Sequence, residues 1–270
     1  MSDDIWEAYA LKYGEVAART RNMNFLGGDD HAAVMPLDFY IWVLRQGDRT
    51  ILVDTGFDRA EAAARGREVA REPAEAIAAL GLTPDAIDEI IVTHLHYDHA
   101  GGLRHFPNAR FHLQEAEMAY ATGPCMCHAA LNHPFTAEHV CDMVRHVFSG
   151  RVAFHDGDAE IAPGVTVHAV GGHSKGLMSV RVKTREGYVC LASDASHYYE
   201  NYLTGRPFPI VADMRETLEG YRTIQALASR PELVIPGHDP LVRRFFPEVA
   251  GGFVFRLDAA PRDFDPLGAA

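Results

Sequence analysis

The order of strand and helix patterns predicts an α+β fold with two sheets in the middle and helices on both flanks. Two hairpin patterns support this prediction. Apolar runs at 39–44 and 50–53 are separated by the turn QGDR, and SVRVKT pairs with YVCLASD around REG. A helical pattern follows each strand-rich half of the chain, at 58–80 and 211–230. Because a sheet must bury its apolar face against another layer, this order fits one domain with two packed sheets.

The other elements follow from local signals. Residues 58–80 are rich in Ala, Glu and Arg and predict a helix that Pro73 must end or restart. Thr83 is expected to cap a short helix with Pro84 at its first position. Further strands are predicted at DEIIVTH, ARFHLQ, RVAFHD, VTVHAVGG and ELVIPGHD. A helical cap is expected around 115–148, within a single domain that spans 1–270.

Composition restricts the class of protein. A chain of 270 residues with 47% hydrophobic content can bury a large core, and its net charge of -12 disfavours nucleic acid as a partner. The acidic N-terminal segment lacks the pattern of a secretory signal, and there is no run of 18 apolar residues for a membrane span. The 4 cysteines are too few for a disulfide framework. We therefore expect a cytoplasmic protein with a small-molecule partner.

The stretch HLHYDH follows a predicted strand and concentrates metal-ligating side chains. Residues two apart on an extended segment point the same way, so His94 and His96 can bind one ion. Asp98 and His99, just past the turn, can face a second ion. Two adjacent ions need more ligands from elsewhere in the chain.

Three later segments supply candidates at strand ends, where binding sites are usually built. They are VGGHSKG with His173, LASDAS with Asp194 and IPGHDP with His238. The resulting assignment is His94, His96 and His173 for one ion and Asp98, His99 and His238 for the other. Asp194 can bridge the two, because a carboxylate has two oxygens.

HLHYDHAGG, with these three later residues, resembles the HxHxDH motif and ligand set of the metallo-β-lactamase superfamily. The resemblance extends through ILVDTG and PGHD, from about residue 39 to 240. It implies that family's four-layer αβ/βα sandwich. LASDASHYYEN, and the spacing of the later ligands, are similar to the N-acyl homoserine lactonases, the quorum-quenching members of the superfamily.

The resemblance implies a metal-dependent hydrolase that opens a lactone ring, an N-acyl homoserine lactone or a related one. Two divalent ions would supply a bridging hydroxide at neutral pH. Zinc suits the mixed ligands, although iron, manganese or cobalt fits the same set. Asp98 would carry the proton, and Asp54 would orient a ligand histidine.

The residues after Asp194 depart from the lactonase pattern. Lactonases place a tyrosine three positions after the bridging aspartate, where it contacts the substrate carbonyl. Here that position is His197, with Tyr198 next. We expect His197 to fill the role, with Tyr198 as the alternative if the loop is shifted by one residue.

Other functions stay open at this point. A glyoxalase-II-like thioesterase, or another metal-dependent ester hydrolase, shares the motif but usually carries an added helical domain. A persulfide dioxygenase would use a single iron and leave part of the ligand set idle. A non-catalytic metal-binding domain is disfavoured by the seven candidate ligands. A homodimer is also open.

Overall fold

The structure is a computed structural model that describes residues 4–268, and within them the first of two sheets contains nine strands. The order is β13-β14-β1-β2-β3-β5-β6-β7, with β4 paired to β1. The strands are β1 (Glu7–Val16), β2 (Leu37–Gln46), β3 (Arg49–Val53), β4 (Glu68–Val69), β5 (Glu89–Ile91), β6 (Arg110–Gln114), β7 (Val152–His155), β13 (Glu248–Ala250) and β14 (Val254–Arg256). β3, β5, β6 and β7 are parallel, so the loops that follow them leave from the same edge of the sheet.

The second sheet of the described chain has five strands in the order β12-β11-β10-β9-β8. They are β8 (Ala159–Ala162), β9 (Val165–Ala169), β10 (Met178–Thr184), β11 (Gly187–Ser193) and β12 (Val234–Pro236). The predicted hairpin of β10 and β11 is confirmed, with Thr184 opposite Gly187. β12 pairs parallel to β11, so both strands end on the same side.

Helices cover the outer faces. They are α1 (Arg59–Arg65), α2 (Pro73–Ala76), α3 (Tyr97–Ala100), α4 (Glu115–Thr122), α5 (Ala129–Asn132), α6 (Ala137–Phe148), α7 (Tyr199–Thr204), α8 (Met214–Leu227) and α9 (Leu241–Phe245). α4, α5 and α6 make residues 115–148 mainly helical. None of the helices in residues 4–268 is both long and apolar enough to cross a membrane.

Two apolar cores separate the layers, and β2 contributes to both. Its sequence LDFYIWVLRQ alternates large side chains between the two faces of the strand. Trp42 and Leu44 pack with the second sheet, whereas Ile41 and Val43 pack with the helices on the other face. Complete burial of each such side chain contributes roughly 1.5–3 kcal/mol. The layers are therefore helix, sheet, sheet and helix, as the predicted sandwich requires.

The prediction of one helix over 58–80 is wrong in its middle. α1 ends at Gly66, whose φ of 60° is left-handed, and Glu68–Val69 then pairs with β1 as β4. A new helix, α2, begins at Pro73, which was one of the two outcomes predicted for that proline. The turn at Pro84–Ala86 is a 3-10 helix, and the Thr83 side chain makes no capping hydrogen bond.

The sequence analysis also missed strands. β1 was not predicted, although it pairs with β2 along nearly its whole length. β8, β13 and β14 were missed as well; they have three or four residues each and obtain their hydrogen bonds from distant or irregular pairings. All 4 cysteines carry free thiols.

Candidate metal centre

The seven predicted metal ligands converge where strands end. His94 and His96 lie in the loop after β5, and Asp98 and His99 lie on α3, which follows directly. The other three ligands follow strands of the second sheet: His173 in the loop after β9, Asp194 after β11 and His238 after β12. All seven are at most 9% exposed. The structure therefore brings together side chains that lie up to 144 positions apart in the sequence, from His94 to His238.

The seven side chains form two groups that meet at Asp194. The ligand atoms of His94, His96 and His173 lie within 4.8 Å of one another, and so do those of Asp98, His99 and His238. Asp194 Oδ2 lies 3.2 Å from His173 Nε2. Asp194 Oδ1 lies 2.9 Å from His238 Nε2 and 3.2 Å from His99 Nε2. One carboxylate thus presents a different oxygen to each group, as a bridging ligand would.

Three atoms of this cluster are buried without a hydrogen-bond partner. They are His94 Nε2, His99 Nε2 and Asp194 Oδ1. A buried polar atom that makes no hydrogen bond costs roughly 1–3 kcal/mol, and native structures contain few of them. Metal ions would provide the missing partners, so the residues present fit two divalent ions.

Hydrogen bonds on the outer side of the rings hold the imidazoles in place. His99 Nδ1 lies 2.7 Å from Asp54 Oδ2. The Nδ1 atoms of His238 and His173 lie 2.8 Å and 2.9 Å from the backbone carbonyls of Asp38 and Ile210. When Nδ1 donates outward, Nε2 keeps its lone pair directed inward, which is the arrangement a metal ligand needs.

Asp54 has the orienting position that the sequence analysis expected. Its carboxylate accepts hydrogen bonds from the Thr93 backbone N–H at 2.7 Å and the Thr93 hydroxyl at 2.8 Å, besides its contact with His99. Its backbone has a φ of 63°, a left-handed conformation that Asp tolerates better than most residues. This conformation, at the end of β3, aims the carboxylate at α3.

Glu117 is a buried residue that the sequence analysis missed. Its carboxylate accepts hydrogen bonds from Leu95 N at 2.9 Å, Ser174 Oγ at 2.7 Å and Gly176 N at 2.9 Å. It therefore joins the loop of His94 and His96 to the loop of His173. A Cβ at Gly176 would lie 2.1 Å from Glu117 N, so only glycine permits this approach.

Burial and neighbouring charges affect the imidazoles in opposite directions. Burial lowers the pKa of His94 and His96 well below the usual value, and adjacent imidazoles lower it further. Burial acts on His99 and His238 in the same way, but the charge of Asp194 and other carboxylates raises their pKa overall. The first pair is therefore already in the neutral form that binds metal.

A cavity of about 260 Å³ opens onto this cluster. His197 lies in its wall, with its ring stacked on Phe208 at a centroid separation of 3.6 Å. Its Nε2 is 3.1 Å from Asp194 Oδ2, which also places it within ligand distance of His173 and Asp194. Burial, the largest influence, lowers the pKa of His197 to about 3, so its ring is neutral.

Tyr198 lies away from the cavity. Its hydroxyl donates to the Pro36 carbonyl at 3.1 Å, and the residue is fully buried among the helices and the first sheet. The loop is therefore not shifted in the way that would bring Tyr198 into the cavity wall. Of the two residues considered for contact with a substrate carbonyl, His197 is the one in the cavity wall.

Comparison with known proteins identifies relatives of the same architecture. The family model of the metallo-beta-lactamase superfamily matches residues 37–238. The N-acyl homoserine lactonase AiiB of Agrobacterium fabrum is 29% identical over 234 residues, 76% of this chain and 80% of that protein. An N-acyl homoserine lactonase of Bacillus cereus is 29% identical over 162 residues, but the chain spans only 59% of its length.

Solved structures agree with this relationship. A quorum-quenching N-acyl homoserine lactone lactonase superposes with a TM-score of 0.71 at 26% identity, covering 89% of this chain and 95% of that one. The dizinc quorum-quenching lactonase AidC superposes with a TM-score of 0.72 at 15% identity, covering 98% and 97%, and shows the shared fold alone. The four-layer sandwich predicted from the sequence is thereby confirmed.

Replacing Glu117 by Ala should loosen both ligand loops at once. Three donors would lose their shared acceptor, so we expect a loss of about 3 kcal/mol or more in the free energy of unfolding and weaker metal retention. Chemical denaturation and metal analysis measure the two effects. Glu115→Ala, at an exposed position on the same helix, is the matched control; equal losses in both variants would refute the role of Glu117.

Proposed function

Because the chain belongs to the metallo-beta-lactamase superfamily, as the resemblance of its motif predicted, we propose that it is a dinuclear metal-dependent lactonase. The observation that carries this proposal is the pair of buried ligand groups with Asp194 between them. A mononuclear iron oxygenase would use one group and leave the other, equally buried, without a role. We therefore do not favour the dioxygenase.

His94, His96 and His173 would hold one ion, and Asp98, His99 and His238 the other, with Asp194 shared. We propose zinc, because it takes imidazole and carboxylate ligands together; iron, manganese or cobalt would fit the same set. When bound, the two ions would lower the pKa of a shared water toward 7 and polarise the lactone carbonyl.

Asp98 would move the proton. It lines the cavity. Its Oδ2 lies 3.7 Å from His238 Nε2, and its Oδ1 lies 3.9 Å from His99 Nε2. A carboxylate there can accept a proton from the attacking water and return it to the ring oxygen as that oxygen departs. The reaction then yields a hydroxy acid.

His197 would bind the substrate carbonyl. Its ring is neutral and held by Phe208, so Nε2 can present one N–H toward the cavity. Nε2 lies 3.1 Å from Asp194 Oδ2, and in the tautomer that carries the proton on Nε2 an incoming carbonyl would accept its hydrogen bond. The stacking fixes the direction of the donor before substrate arrives, which is what preorganised stabilisation requires.

Lactones are the proposed substrates because N-acyl homoserine lactonases are among the relatives that match the chain in both sequence and structure. A thioester hydrolase of the same superfamily is the runner-up, since a thioester carbonyl would meet the same groups. Parallel assays with lactones and thioesters separate the two reactions.

Metal analysis of the purified protein should find about two divalent ions per chain, and a strong chelator should abolish lactone hydrolysis. His96→Ala and His238→Ala should each lose about one ion and nearly all turnover, because each removes a ligand from a different group. Elemental analysis and proton release from lactones measure these changes.

His128→Ala is the control, since His128 is exposed and belongs to neither group. Less than one ion per chain in active protein would contradict the dinuclear proposal. If the protein hydrolyses thioesters but not lactones, the thioesterase proposal replaces the lactonase proposal.

His197→Ala should lower kcat for a lactone about a hundredfold, the usual effect of losing one preorganised donor, while the metal content stays near two. Tyr198→Phe should change kcat little, because its hydroxyl bonds to Pro36. Steady-state kinetics and metal analysis decide the matter. Loss of an ion in His197→Ala would make it a ligand instead, and an unchanged kcat would remove it from catalysis.

A further inference from the structure

Three arginines line the same cavity as the metal cluster: Arg19, Arg65 and Arg67. This is unexpected in a chain with a net charge of -12, and the matched lactonases are named for a neutral class of substrate. Apart from Asp98 and Asp194, which belong to the metal cluster, no carboxylate of the described residues lines the cavity. The wall is therefore basic once those two carboxylates bind metal.

Arg65 has a structural role that accounts for its charge. Its guanidinium pairs with Glu61 and donates to the carbonyls of His133 and Phe135 and to the Thr136 hydroxyl. These bonds hold the segment that leads into α6. Arg65 is therefore already neutralised and is not available to a ligand.

Arg19 and Arg67 differ from Arg65, because neither has a carboxylate within ion-pair distance in the described part of the chain. Arg19 donates only to neutral acceptors, the Asn24 side chain and the Met23 carbonyl. Arg67 Nε is buried and has no hydrogen-bond partner. Burial is the main cause that lowers the pKa of Arg19, and both arginines line the same cavity.

Phe208 connects this basic wall to the reaction centre. One ring contact is with His197, at a centroid separation of 3.6 Å, and the Arg19 guanidinium lies 4.9 Å from the same ring centroid. The Phe208 ring therefore contacts both Arg19 and His197, the residue proposed to donate a hydrogen bond to the substrate carbonyl. An acidic group on a small ring beside Phe208 would therefore lie near Arg19 while the ring carbonyl lies at His197.

We propose that the substrate is a small lactone that carries a carboxylate, bound by Arg19 and Arg67 at the cavity wall. The inference rests on the proposed lactonase function and narrows its substrate class. Planar guanidinium groups match carboxylate geometry, and an anion would supply the negative charge that neither arginine has as a partner in the described residues. The cavity of about 260 Å³ lies below the usual range of roughly 300–1,000 Å³ for ligand sites and suits a compact molecule.

The reaction balances without any further reactant. Water adds to the ring carbonyl, the bond between the acyl carbon and the ring oxygen breaks, and that oxygen leaves as a hydroxyl group. The new carboxyl group ionises and releases one proton. The product is a hydroxy dicarboxylate, so turnover can be followed as proton release in weak buffer.

A matched pair of substrates tests the proposal with the metal-loaded protein. They are 5-oxotetrahydrofuran-2-carboxylate and its neutral N-methyl amide, with N-hexanoyl homoserine lactone as a third substrate. We expect kcat/KM to be about 10–100-fold higher for the carboxylate, the range for hydrogen bonds to a charged group. Arg67→Gln should reduce this ratio by a similar factor.

The outcomes separate this inference from the proposed function. If protein with two bound ions hydrolyses none of the three lactones, the lactonase proposal itself fails. If kcat/KM for the amide or for the hexanoyl compound equals or exceeds that for the carboxylate, the lactonase proposal stands. The proposal of an anionic substrate is then overturned.

Binding provides a readout that does not depend on turnover. The ketone 3-oxocyclopentane-1-carboxylate has no ester bond, and calorimetry should find its Kd at least tenfold higher for Arg67→Gln than for the parent protein. Arg19→Gln should raise the Kd of the ketone by a similar factor. Arg215→Gln is the control, because Arg215 is exposed on α8 and paired with Glu219, and its Kd should equal that of the parent.

Thermal unfolding checks that each variant is folded; if Arg19→Gln is not, Arg67→Gln decides alone. An unchanged Kd in folded Arg67→Gln would overturn the proposal. Succinate and inorganic phosphate serve as competitors. If phosphate displaces the ketone more strongly than succinate does, the arginines prefer a phosphate group, and the proposal of a carboxylate-bearing substrate is overturned.

Discussion

The position of Asp194 between two groups of imidazoles is the constraint on which the rest of the structure depends. The residue is 4% exposed, and each of its carboxylate oxygens faces a different ligand group. A buried carboxylate costs several kcal/mol unless positive charge compensates it. Two bound cations would satisfy the aspartate and the orphaned imidazole nitrogens together. The loops after β5, β9, β11 and β12 must therefore meet within a few ångströms, and the two packed sheets bring them there.

The support for this centre comes from many parts of the chain. Asp54 at the end of β3 orients His99, whereas Glu117 on α4 joins the loop after β5 to the loop after β9. The backbone carbonyls of Asp38 and Ile210 orient His238 and His173. Because each support comes from a different element, the ligand geometry depends on the whole sandwich. The basic wall of Arg19 and Arg67 is built on the same frame, from segments outside the ligand loops.

The parts of the protein that depend on local patterns could be predicted from the sequence. HLHYDH indicated metal ligands because their spacing lies within one strand end and one turn, and the hairpin of β2 and β3 followed from two apolar runs on either side of QGDR. The helix predicted over 58–80 was wrong because the pairing of β4 with β1 is nonlocal. Glu117 was missed because the sequence does not distinguish it from exposed Glu115. The meeting of Arg19 and Arg67 likewise depends on tertiary packing that no motif records.

Crystallography of zinc-loaded protein at the zinc absorption edge tests the central claim most directly. The account predicts two anomalous peaks a few ångströms apart, with Asp194 touching both. The side chains around one peak should be His94, His96 and His173, and those around the other Asp98, His99 and His238. A single peak at full zinc occupancy, or two peaks of which Asp194 contacts only one, would contradict it.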